Sequence, residues 1–158
     1  EAQLDRFLFK IKIDYPSAAE ELEIVQRATG HSAGDALMLD AVSPVLGEQD
    51  LLALQQWVAE VRVDPKVAEY AVRITRATRG FPGLSAGAGP RGAIALVRAA
   101  RAGALLAGRD FILPDDIKSH ALPVLRHRVM RSPDAELEGR EVDELLTRML
   151  TGVDVPRF

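Results

Sequence analysis

The chain has 158 residues, 47% hydrophobic and 27% charged, with a net charge of −3. That composition fits a globular chain, and no apolar run approaches the roughly 18 residues of a membrane span. Zero cysteines exclude a disulfide scaffold and a thiolate metal site and fit a cytoplasmic protein, and the net negative charge gives no general pull toward nucleic acid.

In chain order, the first segment, Glu1-Ala-Gln-Leu-Asp-Arg-Phe7, has no initiator Met and reads as the middle of something longer. It leads into Leu8-Phe-Lys-Ile-Lys-Ile-Asp14, whose period-2 alternation predicts a strand stopped by Pro16. Ser17 and Glu20 have capping-box spacing, so a helix is expected to about Ala28, with Leu22 and Val25 inward and Gly30 at its end. Residues 31–47 are punctuated by Gly34, Pro44 and Gly47 and predict a loop with a short helix.

Leu51, Leu54, Val58 and Val61 mark an amphipathic helix. Asp64-Pro65 supplies an N-cap and a first-turn proline for the next, with Val67, Tyr70, Ala71, Ile74 and Thr78 inward. Gly- and Pro-rich residues 80–89 are a loop, and Pro90 opens a long helix to about Ala107. Pro114 opens another, expected to run to about Arg128. A last helix from about Glu141 turns Val142, Leu145, Leu146 and Met149 to one side. The extended pieces 61–63 and 111–113 can pair as a short ribbon. The fold class is therefore mainly α, a helical bundle preceded by one strand.

Four lysines (10, 12, 66 and 118) stand against sixteen arginines. No lysine follows a glycine, so a P-loop cradle for phosphates is missing, and Asp143-Glu144 lacks the apolar strand of a Walker B motif. The chain alone is expected to be without ATPase activity. His31, His120 and His127 share no metal-ligand spacing, and Asp115 and Asp116 read as first-turn carboxylates facing a helix dipole; no metal site is expected. Trp57 reads as core or rim, and Arg98 and Arg101, one turn apart, either line a phosphate-facing groove or, more simply, form a solvated helix face.

Arg91, in Gly89-Pro-Arg-Gly92, sits in the first turn of a helix after a glycine-rich loop. Free N–H groups, helix dipole and guanidinium together favour an anion there, although a solvated helix start explains it too. Arg6 beside Asp5 and Phe7 reads, on those residues alone, as a surface pair with Asp5 or Glu1.

Taken in order, Glu1-Ala-x-x-Asp-Arg-Phe7 with a strand behind it, Gly-Pro-Arg91, Leu96-Val-Arg98-Ala-Ala-Arg101, Gly108-Arg-Asp-Phe-Ile-Leu-Pro-Asp-Asp-Ile117 and Val124-Leu-Arg-His-Arg128 resemble the C-terminal part of MoxR-type AAA+ ATPases. The resemblance covers most of residues 1–15 and 49–150 and is poorest over 30–48. It implies that residues 1–15 end the ATPase core, residues 16–48 are a helix and irregular linker, and residues 49–158 are the helical lid. Arg6 would be the arginine finger, acting in trans on transition-state charge, with Asp5 orienting it and Phe7 anchoring it. Arg91 would be sensor 2, contacting nucleotide phosphates, although Gly89 stands where the family pattern has Ser.

The same resemblance implies ATP and Mg²⁺ as cofactors of the intact protein, with none bound to this chain alone. The expected partners are its own AAA+ core and further copies in a ring, a hexamer by the resemblance, with von Willebrand factor A domain proteins as clients of a chaperone-like motor. The competing reading, from a different class, is a non-enzymatic helical binding or regulatory module. It draws on the arginine surplus and lacks a basic recognition helix.

Overall fold

The structure is a computed structural model and describes residues 3–30 and 42–157. It divides into two compact units, one of residues 1–11 with 52–158 and one of residues 12–51.

The smaller unit holds helix α1 (Ala18–Thr29) and the start of α2 (Glu48–Glu60). The capping box of α1 forms as its sequence dictates. Glu20 accepts from the Ser17 backbone N–H at 2.8 Å, and its own N–H donates back to the Ser17 hydroxyl. The expected inward face does not form, because Leu22 and Val25 are more than half exposed and α1 buries no residue. Residues 42–47 carry no helix or strand; the rest of the predicted 31–47 loop, His31 included, lies outside the described residues.

The strand expected over residues 8–14 is absent as an element. A strand needs a ladder partner, and the only sheet among the described residues is a two-stranded one formed elsewhere. The alternation is there, but Ile11 and Ile13 stand exposed, without an opposing face.

The larger unit is a helical bundle. Asp64 caps α3 (Pro65–Ala77), its carboxylate accepting from Lys66 N–H at 2.8 Å, and Val67, Tyr70, Ala71, Ile74 and Thr75 are buried along it. α4 (Pro90–Leu106) packs on it and buries Leu96, Ala99, Ala100 and Ala104, three of them alanines small enough to let neighbouring backbones approach. Ile117 of α5 (Pro114–Ser119), Ala121, Val124 and Leu125 of α6 (Ala121–Leu125), and Leu146, Met149 and Leu150 of α8 (Val142–Thr151) complete the core. Each fully buried Leu or Ile adds about 1.5–3 kcal/mol.

The helix expected from Pro114 to about Arg128 is broken in two at His120. Pro123 has no N–H to give to Ser119, so a continuous helix would lose that bond and meet the ring sterically. The ribbon between 61–63 and 111–113 forms as one parallel bridge, with Arg62 N–H on Asp110 O at 2.8 Å and Ile112 N–H on Arg62 O at 3.1 Å. The sequence reading did not anticipate the small antiparallel sheet of β1 (Leu84–Ala86) with β2 (Met130–Arg131), or the one-turn α7 (Pro133–Leu137).

Candidate functional site

The loop before α4 is tied to the end of α3, and this fixes where α4 begins. The buried Thr78 hydroxyl accepts from Ala88 N–H at 2.8 Å and donates to Thr75 O at 2.7 Å, while Arg79 Nε donates to Ala88 O at 3.0 Å. Gly87 crosses so near that a Cβ there would lie 2.5–2.7 Å from the backbone of Thr78 and Arg79. At Gly92 a Cβ would meet Ala88, Thr75 and Leu125 side chains, each at 3.2 Å. The first turn of α4 is therefore pressed into the bundle on one side and presents Arg91 to solvent on the other.

A cleft of about 460 Å³ lies beside this turn, lined by Asp5, Arg6, Leu8, Arg91, Ile94, Ala95, Arg98 and Arg128. Arg91 and Arg98 are seven residues apart, two turns of α4, so both reach the same side. Arg6 lies in a short 3-10 turn, Leu4–Arg6, exposed, with its Nε on Gln3 O at 3.2 Å. The structure thus brings the two site residues expected from the sequence, Arg6 and Arg91, to one cleft, together with Arg98, which the sequence reading favoured as a solvated face over a phosphate-facing groove.

Asp5 makes no ion pair with Arg6. Its carboxylate pairs with Arg128 Nε at 3.2 Å and with an Arg91 Nη at 3.7 Å. Phe7 does not anchor the segment through its ring, which is 59% exposed. Its carbonyl is held instead, accepting from Arg128 Nη2 at 2.6 Å and from His127 Nε2 at 3.0 Å. Arg126 Nη1 donates to Lys10 O at 3.0 Å while its Nε pairs with Asp143 at 3.1 Å, and Lys10 N–H donates to Pro123 O at 2.9 Å. Residues 5–10 are thereby gripped by Arg126-His127-Arg128.

Burial pushes the Arg128 guanidinium below its ordinary value, with the Asp5 carboxylate pulling it back up. Burial likewise lowers His127, against the pull of the Phe7 carbonyl, so the ring is neutral and donates from Nε2. In the sequence reading Arg126 and Arg128 entered only within the stretch of resemblance, and His127 otherwise only as a histidine without metal-ligand spacing. Three nitrogenous side chains in a row immediately after a helix end were the signal available.

Residues 76–149 match the AAA lid domain family. The chain is 41% identical to the Bacillus subtilis protein YeaC and 35% identical to chaperone MoxR1 of Mycobacterium tuberculosis, each over 99% of its length. These matches cover 47% and 42% of those two proteins. The chain belongs to the MoxR-type AAA+ family. It spans about half the length of the curated relatives it matches. The crystal structure of a "putative ATPase" from Cytophaga hutchinsonii superposes with a TM-score of 0.83 at 30% identity, over 99% of this chain and 48% of that one. In this MoxR-type chain the matched lid residues include Arg91, Arg98 and Arg126–Arg128, whereas Asp5 and Arg6 lie outside them. The cleft therefore joins the lid to a segment far from it in sequence. Among the described residues no helix is long and apolar enough to cross a membrane.

Proposed function

We propose that this chain is the arginine-finger and lid portion of a MoxR-type AAA+ ATPase, coupling ATP binding and hydrolysis to chaperone-like assembly or activation of client proteins. The observation that carries the reading is the presence of Arg6 and Arg91 on one cleft beside the start of α4. Gly89 provides no side-chain cap there; Pro90 has no N–H and Gly92 N–H donates to Gly89 O at 2.9 Å, so the Arg91 N–H is the one left to a phosphate, beside the Arg91 guanidinium. Arg6 acts in trans, on the charge that develops as the γ-phosphoryl group of the neighbouring subunit's nucleotide transfers. Because Arg91 shares its cleft, sensor 2 addresses the same nucleotide.

ATP and Mg²⁺ are the cofactors of the intact protein, which works as a ring of copies, with six as the proposed number. The Walker residues that hold triphosphate and metal belong to its AAA+ core, and residues 1–15, 16–48 and 49–158 are the end of that core, a linker and the lid. The names of the relatives called MoxR and chaperone MoxR1 support the client-directed role, with von Willebrand factor A domain proteins as the proposed client class. Its working location is the cytoplasm.

The test is turnover of the full-length protein carrying Arg6→Ala. The expected result is a fall on the order of 10³-fold with ATP affinity within about threefold, because the finger acts on transition-state charge. Mixing Arg6→Ala subunits with P-loop-dead subunits restores part of the activity, and mixing Arg91→Ala subunits does the same. Wild-type turnover in the Arg6→Ala ring overturns the assignment.

A further inference from the structure

Arg128 is too deeply placed to touch a phosphate, its side chain being 3% exposed, yet its hydrogen bonding is complete. A guanidinium has five N–H donors, and five acceptors surround this one. Nε meets Asp5 Oδ1 at 3.2 Å, Nη1 meets Leu8 O at 3.3 Å and Val124 O, and Nη2 meets Asp5 O at 3.2 Å and Phe7 O at 2.6 Å. Four of the five belong to residues on either side of Arg6. The 3-10 turn that carries Arg6 is only three residues long and buries none of them, and Arg6 itself has a local hydrogen bond to Gln3 O. The direction in which Arg6 is displayed is therefore set from outside the turn.

We propose that Arg128 is a positioning residue that holds Asp5 and Phe7, and so aims Arg6 into the cleft, with the Asp5 carboxylate extending the same restraint to Arg91. This rests on the reading of Arg6 and Arg91 given above. Val124 O fixes the guanidinium to the bundle, and the Asp5, Phe7 and Leu8 contacts transmit that position to the segment. Lysine cannot substitute, because its three donors radiate from one atom and cannot reach both flanks of Arg6. The Asp5–Arg91 separation of 3.7 Å leaves that pair open enough for a phosphate oxygen to compete for Arg91 while Arg128 keeps Asp5 in place.

The experiment is a double-mutant cycle on the full-length protein, reading kcat and KM for ATP with Arg128→Ala, Arg6→Ala and the pair. A misaimed catalytic group costs about 10²-fold, so Arg128→Ala is expected to lower kcat by about that much with KM changed less than about threefold. In the Arg6→Ala background the same substitution is expected to have no further effect on kcat, because Arg128 acts through Arg6. An unchanged kcat in Arg128→Ala, or an undiminished further loss in the Arg6→Ala background, overturns the proposal.

If Arg128→Ala does not fold or assemble, Asp5→Asn decides, since it keeps the side-chain shape and removes the charge. The expected loss is about tenfold in kcat, again absent when Arg6 is already alanine; wild-type kcat in Asp5→Asn overturns the proposal. If Arg6→Ala alone abolishes turnover while Arg128→Ala and Asp5→Asn do not lower it, this inference fails and the proposed function stands. If Arg6→Ala leaves turnover intact, the proposed function itself fails.

Discussion

The turn between α4 and α5 and the cleft beside the start of α4 are both organised around an arginine–aspartate pair, on different terms. At the turn, Arg109 and Asp116 are seven residues apart and meet as a fork, with Nη1 on Oδ2 at 2.8 Å and Nη2 on Oδ1 at 2.6 Å. Asp116 also accepts from Leu113 N–H at 2.7 Å, so one carboxylate closes the turn and caps the helix that follows. At the cleft, Arg128 and Asp5 are 123 residues apart and share a single carboxylate contact, and the rest of the arginine goes to main-chain carbonyls. The first pair stabilises a local bend that its neighbours already favour. The second, together with Arg126 and His127, fixes a segment whose own residues form no more than a 3-10 turn, so its loss should be felt as misplacement more than as unfolding.

The strongest way to break that contrast is Arg128→Ala. Removing a buried partner costs about 3–5 kcal/mol, and the lower end applies here because Asp5 stays partly open to water. The loss should fall on residues 5–10: amide exchange of Lys10, whose N–H bonds Pro123 O, should accelerate at least about tenfold while core amides of α4 stay protected. Equal acceleration in α4 would show that Arg128 supports the bundle as a whole.

Next in size is Gly92→Ala, which tests the platform both regions share. Its Cβ would meet three side chains at 3.2 Å, an overpacking of about 1–3 kcal/mol that the better helix propensity of alanine only partly offsets. Urea unfolding that shows a gain in stability would mean the α4 start is not pressed against Thr75 and Leu125.

Asp116→Ala should cost about 1 kcal/mol, the ordinary worth of a lost cap. Burial would raise the Asp116 carboxyl, but Arg109 and the Leu113 N–H outweigh it and hold it below the usual carboxylate range. A carboxyl lowered in the folded state stabilises fully above its unfolded value and loses that contribution as pH falls through its folded value. The Asp116→Ala variant should therefore show a shallower acid limb than the wild type, and identical limbs would contradict the fork.

The smallest effect is expected at His127, lowered mainly by burial. The unfolded ring takes a proton more readily than the folded one, so stability should decline as pH falls below the unfolded value of about 6.5. His127→Gln keeps a donor for Phe7 O and should remove that decline. A wild-type stability flat between pH 7 and 5 would sink this expectation.

What could be read from the chain divides along the same line. Ser17 with Glu20, Asp64-Pro65, Pro90 and Pro114 each begin a helix where expected, because capping is decided within four residues. The inner face of α3 was legible from its periodicity, and Arg91 as a candidate from local context, whereas Arg6 read locally as a surface pair and became a candidate only through the resemblance. The strand over 8–14 was misread because alternation is local whereas pairing is not. The break at His120 was written in Pro123, inside a pattern otherwise helical. The grip of Arg126-His127-Arg128 on residues 5–10 was out of reach, since its partners lie more than 110 positions away and are largely carbonyls, which no residue type advertises.

That last feature has an evolutionary consequence. A grip on the oxygens of Phe7, Leu8 and Lys10 is indifferent to which side chains those positions carry, while Asp5 is held by its carboxylate as well as its carbonyl. Positions 7, 8 and 10 are thus free to drift in side chain, and a proline is disfavoured at 7 and at 10, whose N–H groups donate to Leu4 O and Pro123 O. A saturation library across 5–10 selected for function would recover variety at these three positions and near-invariance at Asp5 and Arg6, so the segment can change its exposed face without losing its seat.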